Sequence, residues 1–258
     1  MSKAIKKMMH AAGFLFLFCF FSCIAFREFV PLFEPPAFLF RPSEPPPPPV
    51  ASVEFETPEP AEPTGDLLLP AAGHTLIYYN QHDVRWATKN YGPHNSISSY
   101  GCGPTVLSIL VSSLTESSVP PDQMAAWCYR NGFFSQNSGS YHSIIPEGAA
   151  AWGLVAESMT DLSYKSIIQE LYEGKIVVML MGSGHFTSSG HFIIIRSVTL
   201  EGQLLIADPN SLENTQIPWD YETIVSELKR TYDAGGPAWS VGLPPPSVTP
   251  ETDETETP

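Results

Sequence analysis

Between Val30 and Gly73 the chain carries proline at a density that regular secondary structure does not tolerate: Pro45-Pro46-Pro47-Pro48-Pro49, then Thr57-Pro58-Glu59-Pro60 and Glu62-Pro63. Proline lacks the amide hydrogen that helices and sheet ladders use, and its fixed φ favours a semi-rigid polyproline course. Residues 28–73 therefore read as a linker, and the core of this 258-residue chain has to come from the residues C-terminal to it. That stretch, residues 74–243, is long enough to bury a real core as one domain. Beyond it, residues 244–258 include Glu251-Thr252-Asp253-Glu254-Thr255-Glu256, an acidic composition expected to be disordered.

Ahead of the linker, Lys3, Lys6 and Lys7 precede an uncharged run from Ala11 to Phe26. At about 1.5 Å per helical residue this run spans a bilayer core only with help from Met8 and Met9. Ile24-Ala25-Phe26-Arg27 is too bulky for a small-x-small cleavage site, so residues 1–27 are expected to be an uncleaved membrane anchor. Were they a cleaved signal instead, the domain would be secreted. The lysines hold their end in the cytoplasm, which places the rest of the chain outside it. A formal net charge of -14 argues against nucleic acid as a partner, because phosphate backbones reward clustered Lys and Arg.

Within residues 74–243 the first half is helix-like and the second half strand-like. Leu107, Leu110, Val111 and Leu114 share a face at helical spacing, and Pro104 suits the first turn of a helix beginning near Cys102. Further helices are expected from Pro121-Asp122 to Asn131-Gly132, around Ile144 to Trp152, and from Asp161 or Ser163 to Glu173. Then Lys175–Met181, His191–Ile195 and Gln203–Asp208 are apolar, β-branched runs bounded by glycine or proline, which reads as an antiparallel sheet. Helices followed by a sheet is an α+β arrangement.

Of four cysteines, Cys19 and Cys23 lie in the apolar run, leaving Cys102 and Cys128. A bridge between those two would consume the better nucleophile, and Cys128, in Ala125-Ala126-Trp127-Cys128-Tyr129, reads as a small buried helical side chain. Cys102 is different. It stands in Tyr100-Gly101-Cys102-Gly103-Pro104-Thr105 at a helix start, where unpaired amides and the helix dipole favour a thiolate. Gly101 and Gly103 would let the turn bend and a substrate backbone approach. The competing reading is a buried small residue.

A thiolate needs an imidazole partner that can protonate the leaving amine. His191 opens a strand and is the first choice, while His185, in a Gly/Ser loop, is expected to line the cleft. Asp208 ends the next strand and could orient His191 across the sheet, unless Asp208-Pro209-Asn210 is simply a turn. Asn210 is the second candidate for that role. No cofactor is expected, since metal-ligand spacings such as Cys-x-x-Cys or His-Glu-x-x-His are absent around Cys102, His185 and His191.

Three stretches together resemble the peptidase C39-like family of bacterial cysteine peptidases, related to papain in fold. They are Gln81-His82-Asp83-Val84-Arg85-Trp86, Tyr100–Thr105, and Gly184-His185-Phe186-Thr187-Ser188-Ser189-Gly190-His191-Phe192 followed by Ala207-Asp208-Pro209. The resemblance implies a papain-like fold, a nucleophile helix packed on the sheet, and a Cys-His-Asp triad of Cys102, His191 and Asp208. It also implies that Gln81 is the oxyanion-hole donor and adds Trp86 to Gly101, Gly103 and His185 as cleft candidates. The expected activity is hydrolysis of a peptide or amide bond in a peptide or protein substrate by a monomer. Two readings stand against it: amide or isopeptide transfer on cell-wall peptides with the same residues, and a catalytically silent surface binding module.

Overall fold

The structure is a computed structural model that describes residues 66–245. The expected anchor, the polyproline part of the linker and the acidic tail from residue 246 lie outside the described residues. The chain first forms a hairpin of β1 (Leu67–Ala71) and β2 (His74–Tyr78), then helices α1 (Ile97–Tyr100), α2 (Cys102–Leu114) and α3 (Pro121–Arg130). A short hairpin of β3 (Phe134–Ser135) and β4 (Gly139–Ser140) leads through a 3-10 turn, His142–Ile144, into α4 (Pro146–Ala151). Next come β5 (Val155–Ser158), α5 (Tyr164–Tyr172), β6 (Ile176–Met181), β7 (His191–Val198) and β8 (Leu204–Ala207). The described chain ends with α6 (Leu212–Gln216), β9 (Pro218–Trp219), α7 (Tyr221–Ser226) and β10 (Ala238–Gly242).

Helices and an antiparallel sheet thus make the α+β fold expected from the sequence. The six-stranded sheet runs in the order β5-β10-β6-β7-β8-β9. Strand β6 explains why its sequence has no alternation, for all of its residues are buried. Ile176, Val178 and Leu180 join one core cluster with Phe192, Ile194, Trp239 and the helix residues Leu107 and Leu110. Val177, Met179 and Met181 join a second with Ile193, Ile195, Ile206, Ile167 of α5 and Ile224 of α7. A sheet covered on both faces replaces polar-apolar alternation with continuous apolar runs.

Three features differ from the sequence-based expectation. Leu67–Ala71, inside the expected linker, pairs with β2 in the register Leu69↔Leu76 and Pro70↔Thr75. Pro70 is tolerated because β1 is an edge strand, and its carbonyl accepts a 2.6 Å bond from buried Arg196. Helix α2 is buried nearly all round rather than on one face, since Ser108 and Ser112 are also enclosed. Both serine hydroxyls donate to the carbonyl of Val119, which satisfies them without water. Finally, β10 lies inside the sheet between β5 and β6, although only Trp239 and Val241 in it are strongly apolar.

Trp239 is fully buried, and its indole N–H donates to the Ala234 carbonyl at 2.9 Å. Trp239→Ala should therefore lower unfolding free energy by about 3–5 kcal/mol in urea denaturation, as truncation of a buried aromatic does. Leu200→Ala, at a fully exposed position, should leave it unchanged within about 0.5 kcal/mol.

Candidate active site

Cys102 is the first residue of α2, with Gly101 as N-cap. Helix geometry leaves the first amides without intrahelical acceptors, so the N–H of Cys102 points out of the helix end. The flanking glycines are required by the protein's own packing. A Cβ on Gly101 would meet Ile97, with Cγ2 at 2.6 Å, and one on Gly103 would meet Ser140, with Cβ at 2.9 Å. Glycine here lets the protein's own neighbours close around the nucleophile turn.

His191 opens β7 opposite Met181, and the ladder to β8 pairs Ile194 with Ala207. Continued by one residue, that antiparallel register sets Asp208 diagonal to His191, within side-chain reach. His191 Nε2 indeed donates to Asp208 Oδ1 at 2.6 Å, with both residues buried. Nδ1 is left for the Cys102 thiol, which lines the same cavity. Burial alone would lower the His191 pKa, but the bonds to Asp208 and Cys102 outweigh it and raise it to about 10. Burial likewise pushes the Cys102 thiol up, yet His191 and the backbone N–H groups of Phe192 and Gly103 leave its pKa lowered. Cys128 has no such partners, and burial pushes its thiol up.

Asp208 is itself held on every side. Oδ1 accepts from the Asn210 N–H and Oδ2 from Asn214 Nδ2, each at 2.8 Å. Its own N–H donates to Thr215 Oγ1 at 3.0 Å, and its carbonyl accepts from the Tyr78 hydroxyl at 2.8 Å. Burial pushes that tyrosine up to about 12, so it remains a donor. The choice left open between Asp208 and Asn210 falls geometrically on Asp208, because the Asn210 side chain faces His82 Nε2 at 2.8 Å.

Gln81 is buried and tied to this region, its N–H donating to the Pro209 carbonyl at 2.7 Å. Its side-chain Nε2 donates to the carbonyl of Ser98, in α1 just ahead of Cys102, also at 2.7 Å. One Nε2 proton remains, while Oε1 is enclosed without a hydrogen-bond partner. A cavity of about 390 Å³ opens beside Cys102 and His191, lined by the β3–β4 hairpin and by Lys229 and Asp233.

A cysteine at a helix start, sharing a cavity with an imidazole that a buried carboxylate orients, is an arrangement suited to nucleophilic chemistry. Residues 75–238, well over half the chain, match the model of the Peptidase_C39 like family. The chain belongs to that family. No curated protein matches the chain significantly. Among solved structures, one named as a C39-like peptidase from Bacillus anthracis is 14% identical, covering 55% of this chain and 88% of its own, with a TM-score of 0.39. That likeness is slight.

The remaining cleft candidates lie away from the cavity lining. His185 is exposed and bonded through Nδ1 to Glu227 at 2.5 Å, against the ring of Trp219. Trp86 is buried, donating to the Asn80 carbonyl at 2.8 Å, edge-on to Tyr79 and under Arg85. Both shape the scaffold of this C39-like domain rather than its cavity. Sequence reasoning missed Tyr78, Asn214 and Thr215, which fix Asp208, and the cavity wall of Ser135, Asn137, Ser138 and His142. None belongs to a motif; only the fold brings them to the site.

With its pKa lowered, Cys102 forms thiolate at a pH where a free thiol, near 8.5, has not. Iodoacetamide should therefore modify Cys102 faster than Cys128 at neutral pH, and Asp208→Asn should move the Cys102 profile to higher pH. Mass-spectrometric rates showing equal, slow labelling of both thiols would sink the activated-thiol reading.

Proposed function

We propose that the chain is a cysteine peptidase that hydrolyses a peptide or amide bond through an acyl-enzyme. The observation that carries this reading is Cys102 and His191 lining one cavity, with Asp208 hydrogen-bonded behind the imidazole. The Cys102 thiolate attacks the carbonyl carbon, and the developing oxyanion falls at the helix start. There the Cys102 N–H and the remaining Nε2 proton of Gln81 are its donors. Collapse breaks the C–N bond as His191 passes its proton to the leaving amine, giving a thioester. His191 then takes a proton from water, whose oxygen attacks the thioester carbonyl, releasing the acid and the thiol.

Asp208 acts through His191, fixing the ring so that Nδ1 faces sulfur and stabilising the imidazolium. A binding module has no use for a lowered thiol beside a raised imidazole, so the geometry favours catalysis over a silent domain. Extracytoplasmic placement behind an N-terminal anchor belongs to the same proposal and rests on the sequence of residues 1–27. Among the described residues no helix is long and apolar enough to cross a membrane.

Cys102→Ala should reduce cleavage of a fluorogenic peptide library by about 10³-fold or more without a change in Tm, and His191→Ala by a similar factor with a lower Tm, because it strips buried Asp208 of a partner. Undiminished cleavage by the Cys102→Ala protein would rule out the thioester route.

A further inference from the structure

One wall of the cavity is the segment after α7, and it is locked to β6. Met181 bridges to Leu228, the Lys229 N–H donates to the Leu180 carbonyl at 2.9 Å, and Gly182 N–H to the Glu227 carbonyl at 2.6 Å. This anchoring fixes the Lys229 side chain against the loop that leads into His191. Its Nζ donates to the Ser189 carbonyl at 2.8 Å, and a Cβ on Gly190 would come within 3.2 Å of the same atom. An ammonium carries three donor protons, so two remain for a ligand in the cavity that Lys229 lines.

No ion pair involves Lys229 among the described residues, although the chain as a whole carries a net charge of -14. The other charged side chain at the cavity beyond the Cys102–His191 pair is Asp233, and its Oδ1 faces His142 Nδ1 at 2.8 Å. The site thus holds one fixed cation without a carboxylate partner, on the His191 side of the nucleophile. A general acid must lie beside the leaving nitrogen, so a group braced on Ser189 and Gly190 faces the leaving portion of a substrate.

We propose that Lys229 is a specificity-determining residue that reads a carboxylate on the leaving-group side of the substrate. The carboxylate is either an acidic side chain just after the scissile bond or the free terminus of a short leaving peptide. The inference rests on the cysteine-peptidase reading of Cys102 and His191, and its test separates the two.

Iodoacetate and iodoacetamide alkylate a thiolate by the same displacement of iodide and differ only in carboxylate against amide. With the full chain, the iodoacetate-to-iodoacetamide rate ratio at Cys102 should fall about three- to fivefold in Lys229→Gln, the range for one partly screened ion pair. Lys229→Arg should restore it. An unchanged ratio in Lys229→Gln, including both rates slowing together as for a mere loop tether, overturns the proposal. Failure of either reagent to modify Cys102 in the unaltered protein overturns instead the peptidase reading, and this inference with it. Two peptide series then identify the source, one with Asp after the scissile bond and an amidated terminus, the other neutral with a free terminus. The series whose preference Lys229→Gln abolishes names the carboxylate, and no preference for either overturns the assignment.

Discussion

The hydrogen bond between His191 and Asp208 is the constraint around which the second half of the domain is arranged. Both side chains are buried, and burying two polar groups of this kind is costly unless each hydrogen-bonding position is filled. Asp208 meets that demand through Asn210, Asn214 and His191, while Thr215 and Tyr78 hold its peptide groups. Those partners come from β2, from the turn after β8 and from α6, so several elements must be in place before the carboxylate is satisfied. Local distortion at any of them reaches the imidazole, and through it the thiol.

The doubly covered sheet makes such precision possible at the site. Strands β6 and β7 are packed on both faces, so the start of β7, where His191 sits, has little room to move. Helix α2 is enclosed almost all round, which fixes Cys102 from the other side. The proposed nucleophile and base are therefore carried by rigid elements, while the cavity wall comes from the β3–β4 hairpin and the segment after α7. The proposed chemistry and recognition are thus divided between core and loops.

Much of the candidate site was legible because its parts leave local marks. Gly101-Cys102-Gly103-Pro104 marks a helix start, and an apolar run opening on His191 or closing on Asp208 marks a strand end. The reasons behind those marks were less legible. Gly101 and Gly103 make room for Ile97 and Ser140, and Trp86 and His185 stand outside the cavity lining, in packing and in a hydrogen bond to Glu227. Strand β10 escaped notice because two strongly apolar residues between glycines do not announce a strand, and β1 because a proline interrupts it.

By itself the sequence determined the periods and the breaks: a proline-dense segment that regular structure does not tolerate, helical spacing after Cys102, and β-branched runs too apolar for any place but a sheet interior. These arise from backbone chemistry and local patterning, which act over a few residues. Tertiary structure alone decided which polar group meets which. Asp208 rather than Asn210 reaches His191, Gln81 settles against Ser98, and Lys229 stands at the cavity without a carboxylate partner among the described residues. Such contacts join residues far apart in the chain, and their geometry is set by strand register and packing rather than by any neighbour in sequence.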